Sequence, residues 1–176
     1  MLSRPGRTVR TAFADVEFMA LSSRKRGASP VGLGDPRRFA QDIERLLAVA
    51  DLGLADLAFM CDFAEGSRHL EDYICDVLNA LRESAGDHTD LLLTTQEACF
   101  GHIPGVAGLL KILASLVMLN TRMVAPTANL VRPYRRLPAS PVILAPRPLR
   151  GTSDPIAMAV GSSGGGDTSS ILLRLC

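Results

Sequence analysis

Residues 98–127 read ACFGHIPGVAGLLKILASLVMLNTRMVAPT. A lone histidine follows a glycine, a small-residue turn follows the histidine, and an apolar helix then runs on to Pro126-Thr127. Leu109, Leu110, Ile112, Leu113, Leu116, Val117, Met118 and Leu119 do not keep to one face, and a helix apolar all round is buried on all sides. The run Gly105 to Leu119 contains Lys111 and is shorter than the ~20 residues a membrane span needs. It therefore reads as a central buried helix of a folded domain.

Working outward, the flanking segments supply too little to bury it. Thr8 to Leu21 reads as a strand by its β-branched and aromatic residues, and residues 22–36 as a Gly/Ser/Pro loop. Asp35-Pro36 caps a helix over residues 37–52, with Phe39, Ile43, Leu46, Leu47 and Val49 on one face. Residues 54–64 read as a short buried strand, 67–84 as an amphipathic helix carrying Leu70, Tyr73, Ile74, Val77, Leu78 and Leu81, and 89–96 as a buried strand. After the central helix, residues 120–141 form a Pro-rich connection. VILAPRPL (142–149) and IAMAVGSS…SSILLRL (156–175) close the chain as strands around a Gly-rich turn. The order is β-α-β-α-β-α-β-β, an α/β sheet with helical cover. Two other helices and about five strands cannot surround the central helix, so its second side calls for another layer, a partner chain or a second copy.

The totals fit one domain over residues 1–176, with 1–7 as a flexible N-terminus. The chain has 176 residues, a net charge of +1 and 47% hydrophobic residues, enough for a sizeable core. The near-neutral balance gives no electrostatic case for nucleic acid. Cys61, Cys75, Cys99 and Cys176 are widely spaced, with no paired spacing suited to a metal. They read as free thiols of a reducing compartment. The N-terminus is charged and lacks the apolar core of a signal peptide. A soluble, cytoplasmic protein without a membrane span is expected.

The Gly-His turn, the small-residue step, the long apolar helix, Pro-Thr, two closing strands and the Gly-rich turn together resemble the β-ketoacyl synthases, the thiolase-fold condensing enzymes of fatty-acid and polyketide assembly. Only the C-terminal half of that family is matched, most strongly over Phe100 to Thr127 and Ala157 to Leu175, and weakly before Ala55. The resemblance implies a thiolase-like half-domain whose central helix is sandwiched against an N-terminal half that this sequence does not contain. The family's Cys nucleophile comes from that N-terminal half and two histidines from the C-terminal half. The Cys takes the acyl chain as a thioester, and the histidines support decarboxylation and enolate stabilisation.

Motif by motif, the resemblance departs from the family pattern. The HGTGT-type turn reads FAEGS, so Phe63 stands where the first histidine would be, while Gly66 and Ser67 keep the later positions. The KxNxGH-type turn reads EACFGH: His102 is kept, Glu97 takes the place of the lysine and Cys99 that of the asparagine. The closing GFGGTN-type turn reads GSSGGGDTSS, with Gly164 replacing the bulky aromatic and Gly165 and Gly166 following. Phe63 can neither donate a hydrogen bond nor carry a proton, and Glu97 in place of lysine inverts a charge in a buried site.

Each candidate also has a structural reading. His102 is either a working imidazole facing a thioester pocket or a core histidine at a helix start. His69 and His88 sit in polar surroundings and are given no role. Cys99 reads as a buried inert thiol rather than a nucleophile, because activation needs a base within hydrogen-bond reach; Cys61, Cys75 and Cys176 are given no role. Glu97 is either a carboxylate poised in a cleft or a solvated charge at a strand end. Asp62 and Glu65 near Gly66 are weak grounds for a metal, and none is expected. The Gly164–Gly166 turn lacks a phosphate-loop pattern and suits a hairpin with room for a pantetheine arm. Ser67 either touches that arm or caps a helix.

The resemblance implies a ketosynthase-like subunit that completes or shapes the acyl pocket of a Cys-bearing partner, as a split ketosynthase or in the manner of a chain-length factor. It would be inactive alone and would bind no cofactor of its own. The acyl chain would arrive on the phosphopantetheine arm of an acyl carrier protein. The alternatives are a non-catalytic scaffold that self-associates through the central helix, and a decayed synthase fragment.

Overall fold

The computed structural model describes residues 16–24, 32–63, 66–85, 90–103, 105–132, 136–149, 153–163 and 165–175. In chain order the elements are β1 (Val16–Arg24), α1 (Pro36–Val49), β2 (Leu57–Cys61), α2 (Arg68–Ala85), β3 (Leu92–Thr94), the single turn α3 (Glu97–Phe100) and α4 (Ala107–Thr121). Short strands β4 (Met123–Val124), β5 (Ser140–Pro141) and β6 (Arg147–Pro148) follow, then the long β7 (Ile156–Ser163) and β8 (Asp167–Leu175). Six strands form one mixed sheet in the order β1-β8-β7-β2-β3-β5, and β4 and β6 form a separate ribbon. β1, β8 and β7 pair antiparallel, whereas β7, β2, β3 and β5 run parallel.

Alternation along the strands makes two apolar layers. Met60, Met158, Val160 and Leu172 join α1 and α2 on one face of the sheet. Phe59, Cys61, Ala157 and Leu173 meet Met118 and Leu119 of α4 on the other. α1 begins as its residues dictate: Asp35 Oδ1 accepts the Arg37 N–H at 3.0 Å and Pro36 opens the helix. Phe39, Ala40, Ile43, Leu46 and Leu47 are buried, each of the large side chains contributing about 1.5–3 kcal/mol. Val49 is not on that face; it is 75% exposed at the helix end.

α4 differs from the expectation of a helix buried on all sides. Its sheet-facing positions include the polar Lys111 and Ser115 with Met118 and Leu119, all buried. Leu109, Leu113 and Val117, spaced by four, are 58%, 50% and 47% exposed. The helix thus turns its charge inward and Leu109, Leu113 and Val117 outward, the reverse of an ordinary surface helix. With Phe100, Ile103, Val106 and Met123 also exposed, the apolar surface extends beyond both ends of α4.

Other boundaries also move. Residues 54–56 are a 3-10 turn, leaving β2 to start at Leu57. Residues 142–149 are not a strand: pairing is confined to the dipeptides Ser140–Pro141 and Arg147–Pro148. Leu144 takes a left-handed φ of 64°, and prolines lack the N–H a ladder needs. The first strand runs later than its composition suggested, and residues 8–15 of that expectation lie outside the described residues. No helix among the described residues is long and apolar enough to cross a membrane.

Candidate functional site

The carboxyl ends of the parallel strands β2, β3 and β7 converge at one edge of the sheet, where open α/β sheets place their sites. β2 delivers Asp62 and Phe63, and β3 delivers Thr94, Thr95, Gln96 and Glu97. Polar groups there are tightly cross-linked. Asp62 N–H donates to Thr94 O at 2.9 Å, Thr95 Oγ1 to Asp62 O at 3.3 Å, and Gln96 Nε2 to Thr94 Oγ1 at 2.9 Å. Thr94 Oγ1 in turn donates to Ala125 O at 2.7 Å, tying this edge to the segment after α4.

Glu97 is at the centre. It is buried, and it is not the solvated strand-end charge that was one reading of its position. One carboxylate oxygen lies 3.0 Å from Lys111 Nζ and the other 3.1 Å from His102 Nδ1. Lys111 is buried as well. It donates to Val160 O at 3.0 Å and sits 5.7 Å above the centre of the Phe63 ring. The lysine that the resemblance assigns to position 97 is therefore replaced from α4, and the buried charge is balanced rather than simply inverted. Lys111 was visible in the sequence only as the single charge in an apolar run; nothing in local spacing linked it to Glu97.

His102 reaches Glu97 because the chain folds back at Gly101, whose φ of 76° favours glycine. Its side chain is 56% exposed, between the exposed Phe100 and Ile103. Phe63 is buried among Phe39 and Tyr73, with ring centres 6.4 and 6.1 Å away, so it packs as an aromatic core residue. Gly66 is exposed with a φ of 88°, and Ser67 precedes α2, its carbonyl accepting the Glu71 N–H at 2.9 Å. Gly165 and Gly166 form the β7–β8 turn at φ of 89° and 81°. A Cβ added to Gly34 would meet Gly166 Cα at 3.4 Å, so this turn packs on the segment leading into α1. Gly164, Glu65, His88 and Cys176 lie outside the described residues.

The thiols separate clearly. Cys99 is exposed rather than buried as its position suggested, being on the outer side of the α3 turn. Cys61 is buried beside the site, and burial pushes its thiol up to about 12, reinforced by the Asp62 charge and opposed by Lys111. A thiol so placed is protonated at neutral pH and is no nucleophile. Burial likewise pushes the Tyr73 phenol up to about 12. Among the described residues no group of His, Cys, Asp and Glu could hold a metal ion. A cavity of about 460 Å³ opens at the opposite end of the parallel strands, lined by Leu54, Ala58, Leu92, Ser140 and Arg147 among others.

Residues 17–131 match the family described as the C-terminal domain of β-ketoacyl synthase. No curated protein matches the sequence. Solved structures of similar fold include an oxazolomycin ketosynthase domain of Streptomyces albus JA3453, with a TM-score of 0.77 and 16% identity over 90% of this chain and 30% of that one. A type II polyketide synthase acyl carrier protein in complex with its ketosynthase bound to the hexaketide has a TM-score of 0.75 at 14% identity, covering 89% of this chain and 37% of that one. The ishigamide ketosynthase/chain length factor has 0.74 at 17%, covering 88% and 36%. The likeness at these identities is one of fold, a thiolase-like α/β half-domain. The chain spans about a third of the length of these structures' chains.

Proposed function

This chain belongs to the C-terminal domain family of the β-ketoacyl synthases, and from that premise we propose that it is the C-terminal-half subunit of a polyketide or fatty-acid condensing system. It completes or shapes the acyl pocket of a Cys-bearing ketosynthase partner. The observation that carries this reading is the outward apolar face of α4, from Val106 through Leu109 and Leu113 to Val117, lying beside an exposed imidazole. A helix that buries a lysine and exposes leucines is built for a second protein layer. In the assembly His102 acts on a thioester or malonyl carbonyl. The partner supplies the cysteine that takes the acyl chain. The acyl group is presented on the phosphopantetheine arm of an acyl carrier protein, near Gly66, Ser67 and the turn at Gly165 and Gly166. The ketosynthase/chain length factor and the ketosynthase–carrier protein complex among the solved structures of similar fold support partners of these kinds. A cytoplasmic location belongs to the same reading.

The same exposed face favours a second reading, a non-catalytic module that self-associates through α4. The buried charges of Glu97 and Lys111 compensate each other, which speaks against a decayed fragment, where an uncompensated buried charge is expected. Copurification of the tagged chain from its host, followed by an acyl-transfer assay on the complex, separates the two. A Cys-bearing ketosynthase chain should copurify, and His102→Ala should lower product formation by about 10²–10⁴-fold. Recovery of the chain alone as a homo-oligomer, or product formation unchanged by His102→Ala, overturns the partner-subunit reading.

A further inference from the structure

The pairing of His102 with a buried carboxylate has a chemical consequence for the imidazole. Glu97 is held on its other oxygen by Lys111, which is itself pinned to Val160 O beneath the helix. Paired with an ammonium group, the Glu97 side chain is a carboxylate, and a carboxylate only accepts hydrogen bonds. His102 Nδ1, 3.1 Å away, must therefore carry the hydrogen. In the neutral ring that places the lone pair on Nε2.

We infer that Glu97, anchored by Lys111, is a positioning residue that holds His102 in the Nδ1–H tautomer, so that Nε2 is the working atom and a proton acceptor. The inference concerns this chain's own residues and rests on the proposed function only for the identity of the proton donor, a thiol of the condensing complex. In that step the S–H bond breaks, its electron pair stays on sulfur, and the proton moves to Nε2. The resulting imidazolium keeps its Nδ1–H on Glu97, which stays ionised and stabilises the new charge. Only then can Nε2–H donate to a carbonyl oxygen or enolate. Glu97 touches no substrate, and its effect passes entirely through His102.

Nitrogen-15 NMR of the imidazoles in the full-length chain tests this without any partner. The His102 signals are assigned by their loss in His102→Asn, and spectra are taken where the ring is neutral. The expected result is a protonated Nδ1, upfield, and an unprotonated Nε2, downfield. Glu97→Asp should keep that pattern. Glu97→Gln, which can donate as well as accept, should shift Nε2 upfield as the other tautomer becomes populated. A wild-type ring protonated at Nε2, or a Glu97→Gln spectrum identical to wild type, overturns the inference. The wild-type spectrum decides the tautomer even where a variant does not fold. Failure of the chain to copurify with a ketosynthase would sink the proposed function and leave this readout standing.

Discussion

Glu97 and Lys111, fourteen positions apart and on different helices, form a buried ion pair at 3.0 Å in which the helix α4 turns its one charge toward the sheet. Each partner has further work: the carboxylate holds His102, and the ammonium holds the Val160 carbonyl and lies over Phe63. Removing one member leaves an uncompensated buried charge, which costs more than losing the pair together.

Lys111→Met should therefore destabilise the chain by about 3–5 kcal/mol. Glu97→Leu/Lys111→Met together should cost less than Lys111→Met alone. The reversed pair Glu97→Lys/Lys111→Glu should recover part of the loss of either single charge reversal. Urea denaturation of these five variants, the two single charge reversals included, against wild type checks all three statements. Additive losses would refute the coupling.

The outward face of α4 should drive association. Leu113→Asp and Leu109→Asp place a charge where Leu113 and Leu109 are half-exposed in the lone chain. Each should weaken binding to whatever covers the face by about 10–100-fold, the range for truncating a well-packed interface anchor. Each should leave folding stability nearly unchanged, because the position is not part of the chain's own core. Sedimentation velocity reads the association and circular dichroism the fold.

Cys61 predicts an alkaline loss of stability. The thiol's ordinary value is 9.0, and burial, the leading cause, raises it to about 12 in the folded chain. Between these values the unfolded chain has lost a proton that the folded chain still holds, so stability falls as pH rises. The contribution is fully present below about pH 9 and is lost through about pH 12. Cys61→Ala should flatten the denaturation midpoint between about pH 9 and the Cys61 value. Because Tyr73 is raised in the same range, a residual slope should remain above pH 10.

Thiol labelling should distinguish the cysteines. Cys99 is exposed, whereas Cys61 and Cys75 are buried. A small aromatic disulfide reagent should modify Cys99 in the native chain and reach Cys61 and Cys75 only after unfolding. Peptide mass mapping before and after denaturant checks the order. Native labelling of Cys61 would contradict its burial.

Gly161 of β7 lies opposite Ser169 of β8 and faces the Lys111 ammonium. A Cβ there would meet Ser169 Oγ at 2.8 Å, with Lys111 Nζ 3.8 Å away. Gly161→Ala should be mild, since a serine hydroxyl can turn aside. Gly161→Leu should displace Lys111 and lose about as much stability as Lys111→Met. Denaturation midpoints of the two variants check the contrast.

The sequence by itself determined what periodicity and capping can encode. Asp35-Pro36 opens α1 because a side-chain acceptor and a residue without an N–H suit a helix start. The spacing of Tyr73, Ile74, Val77, Leu78 and Leu81 makes α2, and their burial follows from it. The apolar run from Val106 foretold a helix with more apolar surface than this chain's own sheet covers, and the Gly-His turn marked the right family. The short strands were poorly legible: β4 and β5 fall in the stretch read as a connection, and β6 is only two residues of the stretch read as a strand, each pinned by distant partners rather than by local pattern.

Only the tertiary structure decided the site. His102 and Glu97 are near in sequence, yet their contact depends on the turn at Gly101. Lys111 joins them because α4 packs across β7 and β8, a placement no local spacing encodes. The same crossing turns Lys111 and Ser115 inward and leaves Leu109, Leu113 and Val117 outside. Composition specifies how much apolar surface a helix carries, while the direction in which it points is set by the sheet beneath it.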